Sequence, residues 1–531
     1  MGIYKLRTEF ATHLKVLLWI VFSIFAVGAV WQFGAAPVIN TQKKKDVVIK
    51  VAGAEIQRND FDSEWQNAYE IVSQKGLKSP LQFANVKQML VDNMINSQKL
   101  LMVAKDEGIQ ITKKDVKAAK DEKIVESLKQ NRTAIMGLLS SDEEKIDPRK
   151  DKKYLKTLSE NGMSVDNIIK EATANISDLT IKAELAQKQI MAKIDAKAKA
   201  LTNTDVENTY NNYALSQIVI DTTKTTPEKA EETANTAIKE LKGGADFNAV
   251  KAKYSSIKDA SVKIEYNSID MPWMLPPAVA EKVEGLSVGD YTEPIKDDKA
   301  IYIVKVDQIT NKKPANLDEK AISARKDQIK QSLQQKAFTS IQTKMEAIKD
   351  VTIIDPEFAG YYHCSLAEKE TNPEKAKAEY NIAINEFTKA LKKEANAGKD
   401  VITAKLAFVY NETGKYKEAC DTLYNLLDGP NSTTEASDLR MLYGDSLLRM
   451  GDKVKALKQY EDAAMLNKTD SDFQTQLATR FDELGKADLA SAARQKAGQI
   501  KAWEQKQQAD MMKQMQVQTE KSKSPESKPK K

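Results

Sequence analysis

With 531 residues, 81 Lys and Arg against 76 Asp and Glu and a net charge of +5, the chain has room for about three or four domains and lacks the charge excess that attracts nucleic acid. At 41% hydrophobic and 30% charged it reads as a long polar body rich in helix formers. Two cysteines and two histidines exclude a disulfide-rich scaffold and a multi-Cys zinc site, and they remove most His-based hydrolytic chemistry, so no metal and no cofactor are expected.

Residues 16–33 (VLLWIVFSIFAVGAVWQF) carry no charge. At about 1.5 Å per residue, and with Leu14 and residues 34–36 added, a helix here crosses a hydrocarbon core of roughly 30 Å. Trp19 and Trp31 suit the two interfacial belts. A cleaved signal peptide has a shorter apolar run; Gly34-Ala35-Ala36 offers a small-residue exit, but this run is long and ends in bulky Trp31-Gln32-Phe33. Residues 1–36 are therefore expected to be a cytoplasmic tail and a single-pass anchor. Lys5, Arg7 and Lys15 precede the run and Lys43, Lys44 and Lys45 follow it, so the flanking charges leave orientation open. The short N-terminal flank and long C-terminal body favour an exported body.

Residues 47–52 form a β-branched run, Gly53 a turn, and Asn59 or Asp60 a helix cap. A long amphipathic helix over 81–107 places Val86, Leu90, Met94 and Leu101 on its apolar side and stops at Gly108. Thr112 with Asp115 predicts a capping box. A charged loop over 137–153 and helices over 154–162 and 164–194 follow. The stretches VVIKVAGAEIQRNDFD, MLVDNMINSQKLLMVAKDEGIQITKKDV and LSENGMSVDNIIKEA resemble the N-terminal chaperone domain of the SurA, PpiD and PrsA group of bacterial extracytoplasmic folding factors. The resemblance implies a helical domain over 47–210, completed by a returning segment at 316–355.

Between those halves the pattern changes to a strand at 216–220, helices at 227–242 and 247–254, and an alternating strand, AIYIVKV, at 300–306. With PPAVAEKVEGLSVGDYTEPI, these pieces resemble an inserted α+β prolyl isomerase domain of the parvulin type over 211–311. The family places two histidines on adjacent strands; in this sequence those positions fall at Gln217 and Tyr302. The family's glycine-rich acidic stretch aligns with KIEYNSID, which has no glycine and leaves Asp270 as the nearest acid. The resemblance thus implies a degenerate site with no assigned catalytic residue, an active isomerase remaining the alternative. MPWMLPP at 271–277 reads either as a rigid packed turn or as an adaptable apolar surface in which Met271, Trp273, Met274 and Leu275 meet unfolded segments.

Three later segments align with one another. Ala407, Gly444 and Ala478 recur at intervals of 37 and 34 residues, each followed by a glycine (Gly414, Gly451, Gly485) and then an alanine (Ala419, Ala456, Ala490). A period near 34 with small residues where paired helices meet is the tetratricopeptide pattern, so an α-solenoid is expected over 358–500, with an irregular first unit at 358–392. Its groove would receive a peptide or partner; a structural spacer is the alternative. Residues 501–531, rich in Gln, Met and Lys, are expected to be a disordered basic tail.

The expected whole is a multidomain, mainly α protein on the inner (cytoplasmic) membrane, its bulk periplasmic. The resemblance implies an ATP-independent holdase for unfolded or nascent exported polypeptides leaving the Sec translocon, SecYEG, with no nucleic acid partner. The order resembles PpiD joined to its family's separate repeat partner, YfgM. No phosphate-binding glycine-rich loop is present in the sequence. The alternatives are a working prolyl isomerase and a repeat scaffold for a membrane complex.

Overall fold

The computed structural model describes residues 46–74, 78–137, 145–257, 259, 263–297, 299–392, 398–430, 432 and 434–523. The expected anchor at 16–33, with Trp19 and Trp31, lies outside them. Among the described residues no helix is long and apolar enough to cross a membrane. These residues fall into two compact bodies, one from 46–102, 110–185 and 348–523, the other from 103–109 and 186–347.

The first body opens on a hairpin of β1 (Val47–Val51) and β2 (Ala54–Gln57). Its two-residue turn needs positive φ at both positions, and Ala52 and Gly53 adopt 44° and 80°. Helices α1 (Arg58–Gln74), α2 (Pro80–Asp106) and α3 (Lys113–Met136) follow. The expected Thr112–Asp115 capping box is present. Asp60 does not cap its own helix; it accepts from Ser177 Oγ at 3.0 Å and from Leu179 N at 3.3 Å, fixing the start of a later one. After α4 (Lys152–Glu160), the single helix expected over 164–194 is two, α5 (Val165–Ala174) and α6 (Asp178–Lys199). The break arises because Ser177 Oγ accepts from Thr180 N at 3.2 Å, starting a new helix, while the Asn175 carbonyl accepts from Asn67.

The second body is built on a four-stranded antiparallel sheet ordered β4-β3-β6-β5, from β3 (Asn211–Asp221), β4 (Ile264–Tyr266), β5 (Ile295–Lys296) and β6 (Ala300–Asn311). Preceding the sheet is α7 (Asn203–Asn208); within it come α8 (Pro227–Lys242), α9 (Phe247–Tyr254) and α10 (Pro277–Val283), and after it α11 (Glu319–Ala347). Of the segment expected to return at 316–355, β7 (Val351–Ile353) pairs with the free edge of β1, and α11 belongs to the second body.

Four helix pairs follow in the first body: α12 (Pro356–Lys369) with α13 (Pro373–Leu391), α14 (Lys399–Glu412) with α15 (Tyr416–Leu427), α16 (Ser437–Arg449) with α17 (Lys453–Leu466), and α18 (Ser471–Glu483) with α19 (Ala487–Lys523). Ala407, Ala419, Ala456, Ala478 and Ala490 are buried where helices meet. Gly414, Gly451 and Gly485 take φ of 79°, 88° and 69°, which ends each first helix. Residues 501–523, expected as a disordered tail, continue α19 instead, since the run has strong helix formers and no Gly or Pro before Pro525. Residues 524–531 lie outside the described set.

Candidate functional site

In an antiparallel ladder, directly opposed residues share a face, as do residues two apart. Ile218, Ile220, Ile301 and Ile303 form one face of the sheet, covered by α8 and α9. Gln217 faces Val304 and Tyr302 faces Val219, so the two positions where the parvulin resemblance puts histidines are diagonal neighbours on the other face. Gln217 is buried and Tyr302 half-buried, with Ile295 of β5 opposite it. Burial, and then the Asp297 carboxylate, raises the Tyr302 phenol above its ordinary pKa, so it stays protonated at neutral pH. Among the described residues no hydrogen bond joins Gln217 to Tyr302.

Asp270 is engaged elsewhere. Arg325 on α11 donates from Nη1 to Asp270 Oδ1 at 2.7 Å and from Nη2 to Oδ2 at 3.1 Å. The same guanidinium, only 4% exposed, donates to Thr209 O at 2.7 Å and stacks 4.3 Å from the Tyr210 ring centroid. Asn267, fully buried, accepts from Asp270 N at 2.8 Å and donates to Thr209 O at 3.0 Å. The 267–270 loop is thereby tied to the start of β3, and its acid forms a structural ion pair.

The turn that follows divides the apolar residues. Met271 is half-buried and Leu275 is core, packed with Val279 and Ala280 of α10, so Leu275 does not belong to an exposed surface. Its role is the packing one: it shares a core with Tyr213, Val304 and Val306 of the sheet. Trp273 and Met274, on the short 3₁₀ turn Pro272–Met274, are 72% and 40% exposed. They form an apolar lip on this body. Among the described residues no group of three or more His, Cys, Asp or Glu is placed to hold a metal ion.

Sequence reasoning did not single out Arg325, Asn267 or Gly360. A Cβ on Gly360 would lie 2.4 Å from Phe387, the same close approach that Gly444 makes to Tyr460. The longer α12–α13 pair puts Gly360 off the repeat interval, which hid it. Cys364 and Cys420 are separate buried thiols in different cores.

These elements define a chain of three recognisable parts. Residues 7–178 match the SurA-like N-terminal domain family, 211–322 the PPIC-type PPIASE domain and 334–508 a tetratricopeptide repeat family. The chain thus combines a SurA-like N-terminal domain, a PPIC-type domain and tetratricopeptide repeats. Among curated proteins it is similar to the chaperone SurA of Yersinia pestis bv. Antiqua (23% identity over 279 residues, 50% of this chain and 58% of that one). It also matches the SurA of Idiomarina loihiensis at 28% over 144 residues, 24% of this chain and 32% of that one. The chain thus spans at most about three-fifths of the length of these relatives. Among solved structures it aligns with the foldase protein PrsA from Streptococcus pneumoniae, covering 59% of this chain and 97% of that one at 19% identity and a TM-score of 0.21. An alignment with MamA covers 24% and 72% at 23% identity and a TM-score of 0.21.

Proposed function

We propose that this protein is a membrane-anchored, ATP-independent chaperone that holds newly exported polypeptides as they leave the Sec translocon, with SecYEG as its neighbour at the inner membrane. The parvulin-like body acts as a client-binding module with little or no isomerase activity. The observation that carries the reading is the exposed Trp273–Met274 lip, set on a body whose opposed strands carry neutral Gln217 and Tyr302. Lowering the roughly 18–20 kcal/mol barrier to X–Pro rotation needs an aligned polar cluster. Here Asp270, the acid that the parvulin resemblance offers, is paired with Arg325, and the phenol stays protonated. A Met and a Trp in the open, by contrast, adapt to many apolar segments. The SurA relatives support the chaperone reading, and the uncharged run at 16–33 supports the anchor, which raises the local concentration of the body beside the export site.

The test uses the full chain in nanodiscs. Wild type suppresses aggregation of a denatured client and leaves cis–trans exchange of a short proline peptide at background; Trp273→Ala/Met274→Ala weakens suppression severalfold. Accelerated exchange that disappears in Tyr302→Ala overturns the reading in favour of a working isomerase. Protease accessibility of the body in cells stripped of their outer layers tests the topology, and crosslinking to a few fixed partners instead of many nascent chains would favour a scaffold.

A further inference from the structure

Helix α2 lies within the SurA-like match and the helix pairs within the repeat match, yet they share a core. Ala84, Val91 and Ile95 are buried in one cluster with Phe358, Phe387 and Ile402. Polar contacts set the register. Lys87 Nζ donates to Glu357 Oε1 at 2.7 Å, and Gln88 Nε2 to Ser365 Oγ at 3.1 Å and Glu368 Oε2 at 2.7 Å, all on α12. Lys405 of α14, 2% exposed, donates to Asn85 Oδ1 at 3.0 Å and Glu368 Oε1 at 3.2 Å. Ser79, one residue before α2, hydrogen-bonds Asp438 in the first turn of α16. Helices α12, α14 and α16 are the first members of three successive pairs.

The concave surface of a stacked solenoid is where such proteins take a partner's segment, and an amphipathic helix laid in a groove is a recurring form of that contact. We infer that the first-helix face of these repeats is a binding site whose ligand is helix α2 of the same chain. The repeats are thereby the chassis of the N-terminal domain, and this face is closed to partners in the native state. Two features make the contact obligatory. The Lys405 ammonium is out of water and relies on Asn85 for one of its acceptors, and a buried charge that loses an acceptor is disfavoured. The chain also re-enters beside it: β7 pairs with β1, and Asp355, which caps α12, bonds Arg58 at the start of α1. The expected open groove is therefore filled over its first three pairs.

Hydrogen exchange of the full chain, read by mass spectrometry, tests this. In wild type under rising urea, α2, α12, α14 and α16 lose protection along one common isotherm. Lys87→Glu, which sets a second carboxylate against Glu357, lowers protection in all four at least tenfold, and Lys87→Glu/Glu357→Lys restores it. A labelled peptide of residues 79–106 binds the Lys87→Glu chain and not wild type. Separate isotherms for α2 and the repeats overturn the inference. So does peptide or partner binding to this face while α2 remains protected.

Discussion

Replacing Gly444 with alanine tests how the repeats are packed. A Cβ built there lies 2.4 Å from Tyr460 Cε1 and 2.7 Å from Cδ1, whereas non-bonded carbons rest at about 3.5–4.0 Å. Either α16 and α17 part by about 1 Å or the ring moves. The ring is held: its hydroxyl donates to Asp445 Oδ1 at 2.8 Å, Arg480 Nε donates to the same oxygen at 2.8 Å, and Phe481 meets it edge-on at 6.4 Å. Overpacking of this kind costs about 1–3 kcal/mol. Alanine in place of glycine inside a helix returns up to about 1 kcal/mol. The clash wins, and a net loss of about 1–2 kcal/mol corresponds to a 5- to 30-fold fall in protection of α16 and α17 amides. The preceding pair suggests the rescue: Ala407 is followed sixteen positions later by Leu423, as Gly444 is by Tyr460. Gly444→Ala/Tyr460→Leu reproduces that pairing and should recover part of the loss. If Gly444→Ala is as protected as wild type, or the two changes simply add, the close-approach argument is wrong.

Two further outcomes follow from burial. Asp438 is raised above the usual aspartate range by desolvation, so its contribution is full below the unfolded-state value and is lost as pH rises through the elevated one. Asp438→Asn keeps an acceptor for Ser79 and should flatten the fall in repeat stability over that window, seen in denaturant midpoints against pH; an unchanged slope removes Asp438 as its source. Burial pushes the Cys364 thiol up to about 12 and Cys420 up to about 11, so neither should react with a thiol reagent at pH 8 until the chain is unfolded, when both label. Rapid labelling of either in the native protein contradicts the burial assigned to it.

Local order was legible wherever chemistry and structure lie close in sequence. Thr226 and Pro227 start α8 and Asp246 starts α9, and both helices have the bounds that periodicity predicts. The repeat glycines were legible because a positive φ after a helix has few alternatives to glycine. The α5–α6 break was hidden because Ser177 reads as an ordinary helical serine until Asp60, 117 positions earlier, is found bonding it. The candidate site was legible in part: the strands at 216–220 and 300–306 were readable and the parvulin resemblance put Gln217 and Tyr302 on them, but the fate of Asp270 depended on Arg325, 55 positions away.

One signal for such partners does exist in the composition. Lysine dominates the basic residues, and a lysine serves a solvated face as well as an arginine does. Arginine is distinct in its fixed fork, which matches a carboxylate with two parallel bonds. Seven of the chain's arginines, at 58, 132, 149, 325, 440, 480 and 494, each pair with an aspartate, and Arg132 and Arg325 are almost fully buried. In a chain this rich in lysine, most of the described arginines therefore mark a place where geometry is fixed, the exposed Arg449 being the exception. Read that way, Arg325 points to a structural partner on a neighbouring segment before any fold is known. Lys405 shows the limit of the rule, since its burial follows from the helix laid over it and not from its own chemistry.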